Sequence, residues 1–81
     1  MNNKLDVIID SIWRGEFQSS INELMEYLNS IITEIHAFDM DINVFNQILT
    51  EITNAIQRKD YIFLVDLIEF ELKPIVKTKL N

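Results

Sequence analysis

The residues with the strongest potential for chemistry are three carboxylates near the C-terminal end, Asp66, Glu69 and Glu71. Asp66 and Glu69 are three residues apart, so on a helix they share a face. Paired carboxylates bind metal ions or perform acid–base catalysis. A helical dinuclear site also needs Glu-x-x-His motifs on facing helices, but the single histidine, His36, follows Thr33 at that spacing. We therefore interpret the three carboxylates as solvated side chains between apolar stripes.

A second acidic pattern, residues 39–43, has the opening spacing of a calcium-binding loop. Such a loop needs glycine at its sixth position and glutamate at its twelfth, where this chain has Val44 and Thr50. A glycine-rich phosphate loop is excluded because the chain has one glycine. His36 lies close to an apolar helical seam, which favours a hydrogen-bonded histidine over a metal ligand. The sequence predicts no catalytic, cofactor-binding or metal-binding residue, no small-molecule substrate, and a protein that is not an enzyme.

Composition limits the class of protein further. The chain has 81 residues, 48% of them hydrophobic, no cysteine and a net charge of −6. This length predicts one domain, residues 1–81, and the hydrophobic content argues against a disordered chain. The sequence shows neither a signal peptide nor a membrane-spanning apolar run, so we expect a soluble cytoplasmic protein without a membrane partner. No Lys or Arg stands between Arg14 and Arg58, and this acidic middle argues against nucleic acid as a partner.

Helical segments are predicted from the spacing of apolar residues. The second segment is the clearest, because its apolar residues step by three and four along residues 17–38. Ser20 and Glu23 match a capping box, which predicts a helix from residue 19 or 20 to about residue 37. A shorter apolar stripe predicts a first helix over residues 3–14.

The connection between these two helices has two interpretations. The apolar step from Ile12 to Phe17 breaks the helical phase, and Gly15 lies at the break. Glycine at such a point is typical of a helix C-cap, here followed by a turn over residues 15–18. The alternative is one long helix with a kink at Gly15.

The third and fourth helices have acidic caps. Asp39 or Asp41 caps the third helix, and Asp60 caps the fourth. Pro74 cannot donate a helical N–H, so we expect the fourth helix to end or kink just before it, with a short last turn over residues 75–80. The segments together predict an all-α fold, a small antiparallel bundle of three to four helices with short loops.

The fourth helix carries apolar residues on two faces. One stripe contains Tyr61, Leu64, Val65, Ile68, Leu72, Ile75 and Val76. A second stripe, on roughly the opposite side, contains Phe63, Leu67 and Phe70, with Pro74. Glu71 falls in one gap between the stripes and Asp66 in the other. A helix with two apolar faces must be covered on both of them.

The second stripe supplies the candidate interface residues Phe63, Leu67 and Phe70, with Trp13 as a further anchor. Burial of this stripe under the first helix, inside one four-helix domain, is the alternative. A homodimer in which helices of two chains complete each other's cores explains both the second stripe and the small size of the chain.

The last third of the chain contains Asp60-Tyr61 followed by Leu64-x-Asp66-x-x-Glu69-x-Glu71-Leu72-x-Pro74. This pattern resembles a signature of small uncharacterised helical proteins of Gram-positive bacteria, and it covers residues 60–74 only. The resemblance implies a bacterial cytoplasmic protein. No activity and no functional residue carries over from it.

Two functions are consistent with these features. The first is a non-catalytic helical protein–protein interaction module that self-associates as a homodimer. The second is an acidic inhibitor, antitoxin, immunity protein or secretion chaperone that binds a basic protein partner. The salt dependence of partner binding distinguishes the two functions. Binding through apolar residues is nearly insensitive to ionic strength, whereas binding through acidic residues weakens as salt rises.

Overall fold

The computed structural model describes residues 3–33 and 41–76. Every regular element within these ranges is a helix, which confirms the predicted all-α class. The helices are α1 (Asn3–Trp13), α2 (Phe17–Thr33), α3 (Ile42–Gln57) and α4, residues 61–75. Helix α4 has three segments, which are α-helical (Tyr61–Asp66), π-helical (Leu67–Leu72) and again α-helical (Lys73–Ile75). No helix in these ranges has the length and apolar character that crossing a membrane requires.

The chain divides into two compact units, Met1–Ile35 and His36–Asn81. Helices α1 and α2 pack against each other in the first unit, and α3 packs on α4 in the second. Because a short connection joins the helices of each pair, each unit is a helical hairpin. We term them hairpin 1 and hairpin 2. This division does not test the prediction of one folding domain.

Hairpin 1 is stabilised by the apolar stripes that the sequence predicts. Its buried apolar residues are Leu5, Ile8 and Ile12 of α1 and Leu24, Leu28 and Ile31 of α2. Residues three and four apart share one face of a helix, so each stripe removes a continuous apolar surface from water. Each such side chain contributes about 1.5–3 kcal/mol to folding when it is buried.

The connection in hairpin 1 is a Schellman motif centred on Gly15. The φ angle of Gly15 is +83°. Its N–H donates to the carbonyl oxygen of Ile12 at 2.9 Å, and the N–H of Glu16 donates to the carbonyl oxygen of Ser11 at 3.0 Å. These two hydrogen bonds are typical of the end of a helix, here α1, that is followed by a residue in the left-handed conformation, here Gly15. Helices α1 and α2 are therefore separate, and the alternative of one kinked helix is wrong.

The predicted capping box at Ser20 and Glu23 is also wrong. Helix α2 begins at Phe17, so Ser20 lies inside its first turn. Ser20 is fully buried, and its hydroxyl donates to the carbonyl oxygen of Glu16 at 2.5 Å. The Schellman motif turns the chain within two residues, so α2 begins at Phe17, directly after the turn. Ser20 is therefore a helical residue, and its hydroxyl bonds to a backbone carbonyl oxygen of the preceding turn instead of to a free N–H group. The predicted end near residue 37 lies outside the described residues.

Acidic caps begin both helices of hairpin 2, as predicted. A carboxylate oxygen of Asp41 accepts the N–H of Asn43 at 2.8 Å. A carboxylate oxygen of Asp60 accepts the N–H of Phe63 at 3.2 Å. Asp39, the other candidate for the first cap, lies outside the described residues. The buried apolar residues of this hairpin include Phe45, Ile48, Ile52 and Ala55 of α3 and Leu64, Leu67, Ile68 and Leu72 of α4.

The connection in hairpin 2 repeats that of hairpin 1, 44 residues later. Lys59 takes the left-handed position, with φ of +57°. Its N–H donates to the carbonyl oxygen of Ile56 at 3.0 Å, and the N–H of Asp60 donates to that of Ala55 at 2.9 Å. The sequences match in residue type at three of four positions, with Arg14-Gly15-Glu16-Phe17 in one turn and Arg58-Lys59-Asp60-Tyr61 in the other. Positions 44 residues apart can therefore be compared directly between the hairpins.

Helix α4 departs from regular α geometry ahead of Pro74. The N–H of Lys73 donates to the carbonyl oxygen of Ile68, five residues back instead of four. Proline has no N–H and crowds the carbonyl oxygen four residues before it, and a π turn relieves both problems locally. The helix continues to Ile75, so the irregularity predicted at Pro74 is a wider turn and not a helix end. Residues 77–80 of the predicted last turn lie outside the described residues.

Candidate interaction groove

An open groove of about 380 Å³ lies on hairpin 2. Its lining residues are Glu51 from α3 and Phe63, Asp66, Leu67, Phe70 and Glu71 from α4. Three of these side chains are apolar and three are carboxylates. The groove therefore combines an apolar surface with an acidic border.

The apolar residues of the groove are the three that the spacing on α4 selects. Leu67 is 3% exposed, Phe63 is half-buried and Phe70 is 70% exposed. Leu67 thus forms the floor of the groove and Phe70 its rim. The second apolar stripe of α4 is neither wholly buried inside the chain nor wholly exposed. The exposed ring of Phe70 and the half-buried ring of Phe63 together give the groove its accessible apolar surface.

The carboxylates of the groove, Glu51, Asp66 and Glu71, are exposed to solvent. Within the described part of the chain, none of the three forms an ion pair or a side-chain hydrogen bond. Glu69 belongs to the same acidic cluster in the sequence, but it pairs with Lys73 at 3.3 Å. Three like charges around one apolar surface attract cationic groups and repel anionic ones.

The other acidic residues with potential for chemistry have structural roles. Asp41 and Asp60 cap helices α3 and α4 through backbone N–H groups. His36 lies outside the described residues. In residues 3–33 and 41–76, no three His, Cys, Asp or Glu side chains are arranged to hold a metal ion.

The structure brings together three of the four candidate interface residues. Phe63, Leu67 and Phe70 line one groove. Trp13 is the last residue of α1 in hairpin 1, where it is 62% exposed. It does not line the groove.

Hairpin 1 carries polar residues where hairpin 2 carries the apolar side of the groove. The positions 44 residues before the three apolar groove residues are occupied by Ser19, Glu23 and Glu26. Ser19 and Glu26 are exposed and Glu23 is half-buried. A hairpin with this turn therefore forms without apolar residues at these places. The apolar groove is a property of the hairpin 2 sequence and not a requirement of the fold.

Glu51 is the groove residue that the sequence analysis missed. In the sequence it is one exposed position of the third helix, and nothing local relates it to the fourth helix. Its place at the groove depends on how α3 packs on α4. The similar residues at 14–17 and 58–61 are a sequence signal for two helical hairpins, and such a signal would place the third helix against the fourth.

Residues 2–78 match a family model described as Domain of unknown function (DUF8042), so the chain belongs to this family. Neither the comparison with curated proteins nor the comparison with solved structures gave a match. The family match covers nearly the whole chain and is consistent with the predicted resemblance to small uncharacterised proteins. The bacterial origin that the resemblance implies stays a prediction.

Proposed function

We propose that this member of the DUF8042 family is a protein-interaction module without catalytic activity. The groove of hairpin 2 binds a basic amphipathic segment of another protein. The contrast between the hairpins carries this proposal, because both share one turn and one helix pairing but differ along the second helix. Hairpin 2 has three apolar residues that line the groove, and hairpin 1 has Ser19, Glu23 and Glu26 at the equivalent positions. A cytoplasmic location is part of the proposal, and the absence of cysteine supports it.

The apolar side of the groove suits a helical segment. Phe63, Leu67 and Phe70 follow one another at spacings of four and three residues along α4. An amphipathic helix presents its apolar residues at the same spacings, so it can lie along this line of side chains. Burial of Phe70 in such a contact removes the largest apolar exposure in the groove from water.

The acidic border of the groove decides which occupant fits. A two-fold interface pairs a surface with itself, so a second copy would bring Glu51, Asp66 and Glu71 against the same three carboxylates. Like charges placed opposite each other cost on the order of several kcal/mol. A segment with Lys or Arg beside its apolar stripe is complementary instead. The charge of the groove thus favours the basic-partner hypothesis, and the homodimer stays a prediction for the remaining surface.

Titration calorimetry with two synthetic helical peptides tests the proposal. Both peptides carry leucines spaced three and four apart, and their other positions are Lys and Arg in one peptide and Glu in the other. We expect the basic peptide to bind with a Kd on the order of 1–100 μM and to bind more weakly as salt rises. The acidic peptide should bind at least about ten times more weakly, since the groove carboxylates repel it.

Two variants locate the binding on the protein. Phe70→Glu introduces the residue type that hairpin 1 has at this place, and it should lower the affinity for the basic peptide at least about tenfold. Ile62→Glu is the matched control, because Ile62 is 67% exposed on the same helix and does not line the groove. Equal affinity for both peptides, or equal losses in both variants, would contradict the proposal.

Self-association is tested separately by light scattering on a sizing column across a dilution series. A groove that binds another protein predicts that Phe70→Glu leaves the mass unchanged at every concentration. A dimer that Phe70→Glu dissociates, with Ile62→Glu still dimeric, would show that a second copy occupies the groove. That result would replace the basic partner by self-association.

A further inference from the structure

The second helix of hairpin 1 buries its apolar residues at regular α-helical spacing. Leu24, Leu28 and Ile31 are buried, at steps of four and three residues. Ile32, the next residue, is 51% exposed. The helix is α-helical throughout its length, and its buried stripe runs from Ser20 to Ile31, a span of eleven residues, or about three turns of 3.6 residues.

The second helix of hairpin 2 buries its equivalent residues at a longer spacing. Ile68 and Leu72 of α4 and Val76, the C-cap residue after its end, are buried at steps of four and four, while Ile75 is half-buried. Both helices offer a pair of adjacent β-branched residues at the third place, Ile31-Ile32 and Ile75-Val76. In hairpin 1 the first residue of the pair, Ile31, is buried, whereas in hairpin 2 the second residue, Val76, is buried. The π turn (Leu67–Leu72) thus accommodates one additional residue between the two ends of the buried stripe.

A regular α-helix would direct Glu71 into the core of hairpin 2. Glu71 follows Leu67 by four residues and Leu64 by seven, and both leucines are buried. Residues at these spacings share a helix face. A carboxylate without a partner is costly to bury. The π turn places Leu72, which is fully buried, on this face and leaves Glu71 exposed in the groove.

Pro74 supports the wider turn. It stands where hairpin 1 has Ser30, a residue with an N–H inside a regular helix. Because proline has no N–H, a regular α-helix would lose a hydrogen bond at this point in any case. The penalty for changing the hydrogen-bond register is therefore smaller in α4 than it would be in α2.

We infer that the π turn serves to place an acidic residue in the groove, and that Glu71 is the residue that selects a basic partner. This inference rests on the proposed function. Glu71 lies within the π turn (Leu67–Leu72). Without Glu71, Ile68, Leu72 and Val76 would be spaced three and four apart, as in a regular helix.

Deletion of Glu71 together with Pro74→Ser tests the role of the π turn. The shortened helix has regular α spacing, so we expect cooperative unfolding with a Tm within about 5 °C of the parent protein. Circular dichroism during heating measures this. The matched control deletes Glu26, an exposed residue of the regular helix α2. That deletion rotates Leu28 and Ile31 out of the core, so the cooperative transition should be lost. The same outcome in both deletions would overturn this role of the turn.

Glu71→Gln tests the selection of a basic partner in a chain of unchanged length. It removes one charge from the groove, and we expect the affinity for the basic peptide to fall about fivefold. Affinity for a neutral peptide, in which Gln replaces every Lys and Arg, should not change. Glu69→Gln is the matched control, because Glu69 pairs with Lys73 and does not line the groove.

Three results would overturn the role of Glu71. These are unchanged affinity in Glu71→Gln, an equal loss in Glu69→Gln, and an equal loss of affinity for the neutral peptide. A parent protein that binds neither peptide would overturn the proposed function, and with it the role of Glu71 in selection. The two deletions would still decide whether the π turn accommodates an additional residue, because they need no partner.

Discussion

The two hairpins form the same turn from different residues. Hairpin 1 has glycine at the left-handed position and hairpin 2 has Lys59 there, yet the hydrogen bonds that close the two turns agree within about 0.1 Å. After the turn, hairpin 2 continues with the helix cap Asp60, whereas Glu16 in hairpin 1 lies 3.5 Å from the guanidinium of Arg14. The comparison shows that the backbone path of this turn tolerates different side chains.

The second helices of the hairpins differ in a way that the shared turn does not explain. Helix α2 is regular and has polar residues on the face that corresponds to the groove. Helix α4 has a π turn, an exposed Phe70 and an acidic border on that face. Hairpin 1 therefore shows that the turn and the helix pairing form without the features that distinguish α4. The π turn, the exposed Phe70 and the acidic border are the features to which we assign binding.

The largest expected effects compare the cores of the two hairpins. Leu24→Ala and Ile68→Ala each truncate a fully buried side chain at equivalent positions. Each should lower the free energy of unfolding by about 2–5 kcal/mol, because the truncation leaves a cavity. Urea denaturation measures both, with Ile32→Ala as an exposed control that should cost less than about 1 kcal/mol. A loss as small as that of the control in either hairpin would contradict the equivalence of the cores.

Gly15→Ala tests the left-handed position of hairpin 1. A Cβ at residue 15 would meet no atom within 4 Å, so the penalty is conformational and not steric overlap with neighbours. We expect the free energy of unfolding to fall by about 1–2 kcal/mol, the cost of a left-handed residue with a side chain. Thermal unfolding of the variant measures this. An unchanged Tm would mean that the φ angle of residue 15 is not maintained in solution.

The residues that follow the two turns should differ in their contribution to stability. Asp60→Ala removes the side-chain cap on the N–H of Phe63 and should cost about 1 kcal/mol. Glu16→Ala removes an exposed ion pair with Arg14 and should cost less than about 0.5 kcal/mol. The hydrogen bond to Glu16 and the charge of Asp10 raise the pKa of Arg14. Equal losses in the two alanine variants would remove the distinction between a cap and an ion pair.

The smallest expected effect is a gain in stability at the second turn. Lys59→Gly removes the conformational penalty of a side chain in the left-handed region, which stabilises the folded state. It also raises the conformational entropy of the unfolded chain, which lowers stability. The first effect is the larger, so the free energy of unfolding should rise by about 0.5 kcal/mol. Paired urea titrations of the variant and the parent protein resolve a change of this size. A clear decrease in stability would show that the side chain of Lys59 has a structural role.

Local signals in the sequence were sufficient for most of the fold. Asp41, Asp60 and Gly15 mark helix ends through bonds to their own neighbours, so their roles can be read from the residues alone. The prediction of a capping box at Ser20 was wrong because α2 begins three residues earlier, directly after the Schellman motif that ends α1. The π turn could not be read from a fixed period of 100° per residue, because the hydrogen-bond register itself changes along α4.

The candidate site was predicted in part. The spacing of Phe63, Leu67 and Phe70 along one helix was enough to group them, and they line one groove. Glu51 was missed because its proximity arises from the packing of α3 on α4. Helical periodicity did not indicate that Leu67 is buried while Phe70 is exposed. That difference depends on tertiary packing and on the change of register within α4.

Amide chemical-shift mapping by NMR, during titration with the basic peptide, tests the central claim most directly because it monitors both hairpins in one experiment. We predict that the largest changes fall on Glu51 and residues 63–71. The equivalent stretch of hairpin 1, residues 19–27, should change much less. Changes of equal size in the two stretches, or changes that do not cluster around the groove, would contradict the assignment of binding to hairpin 2.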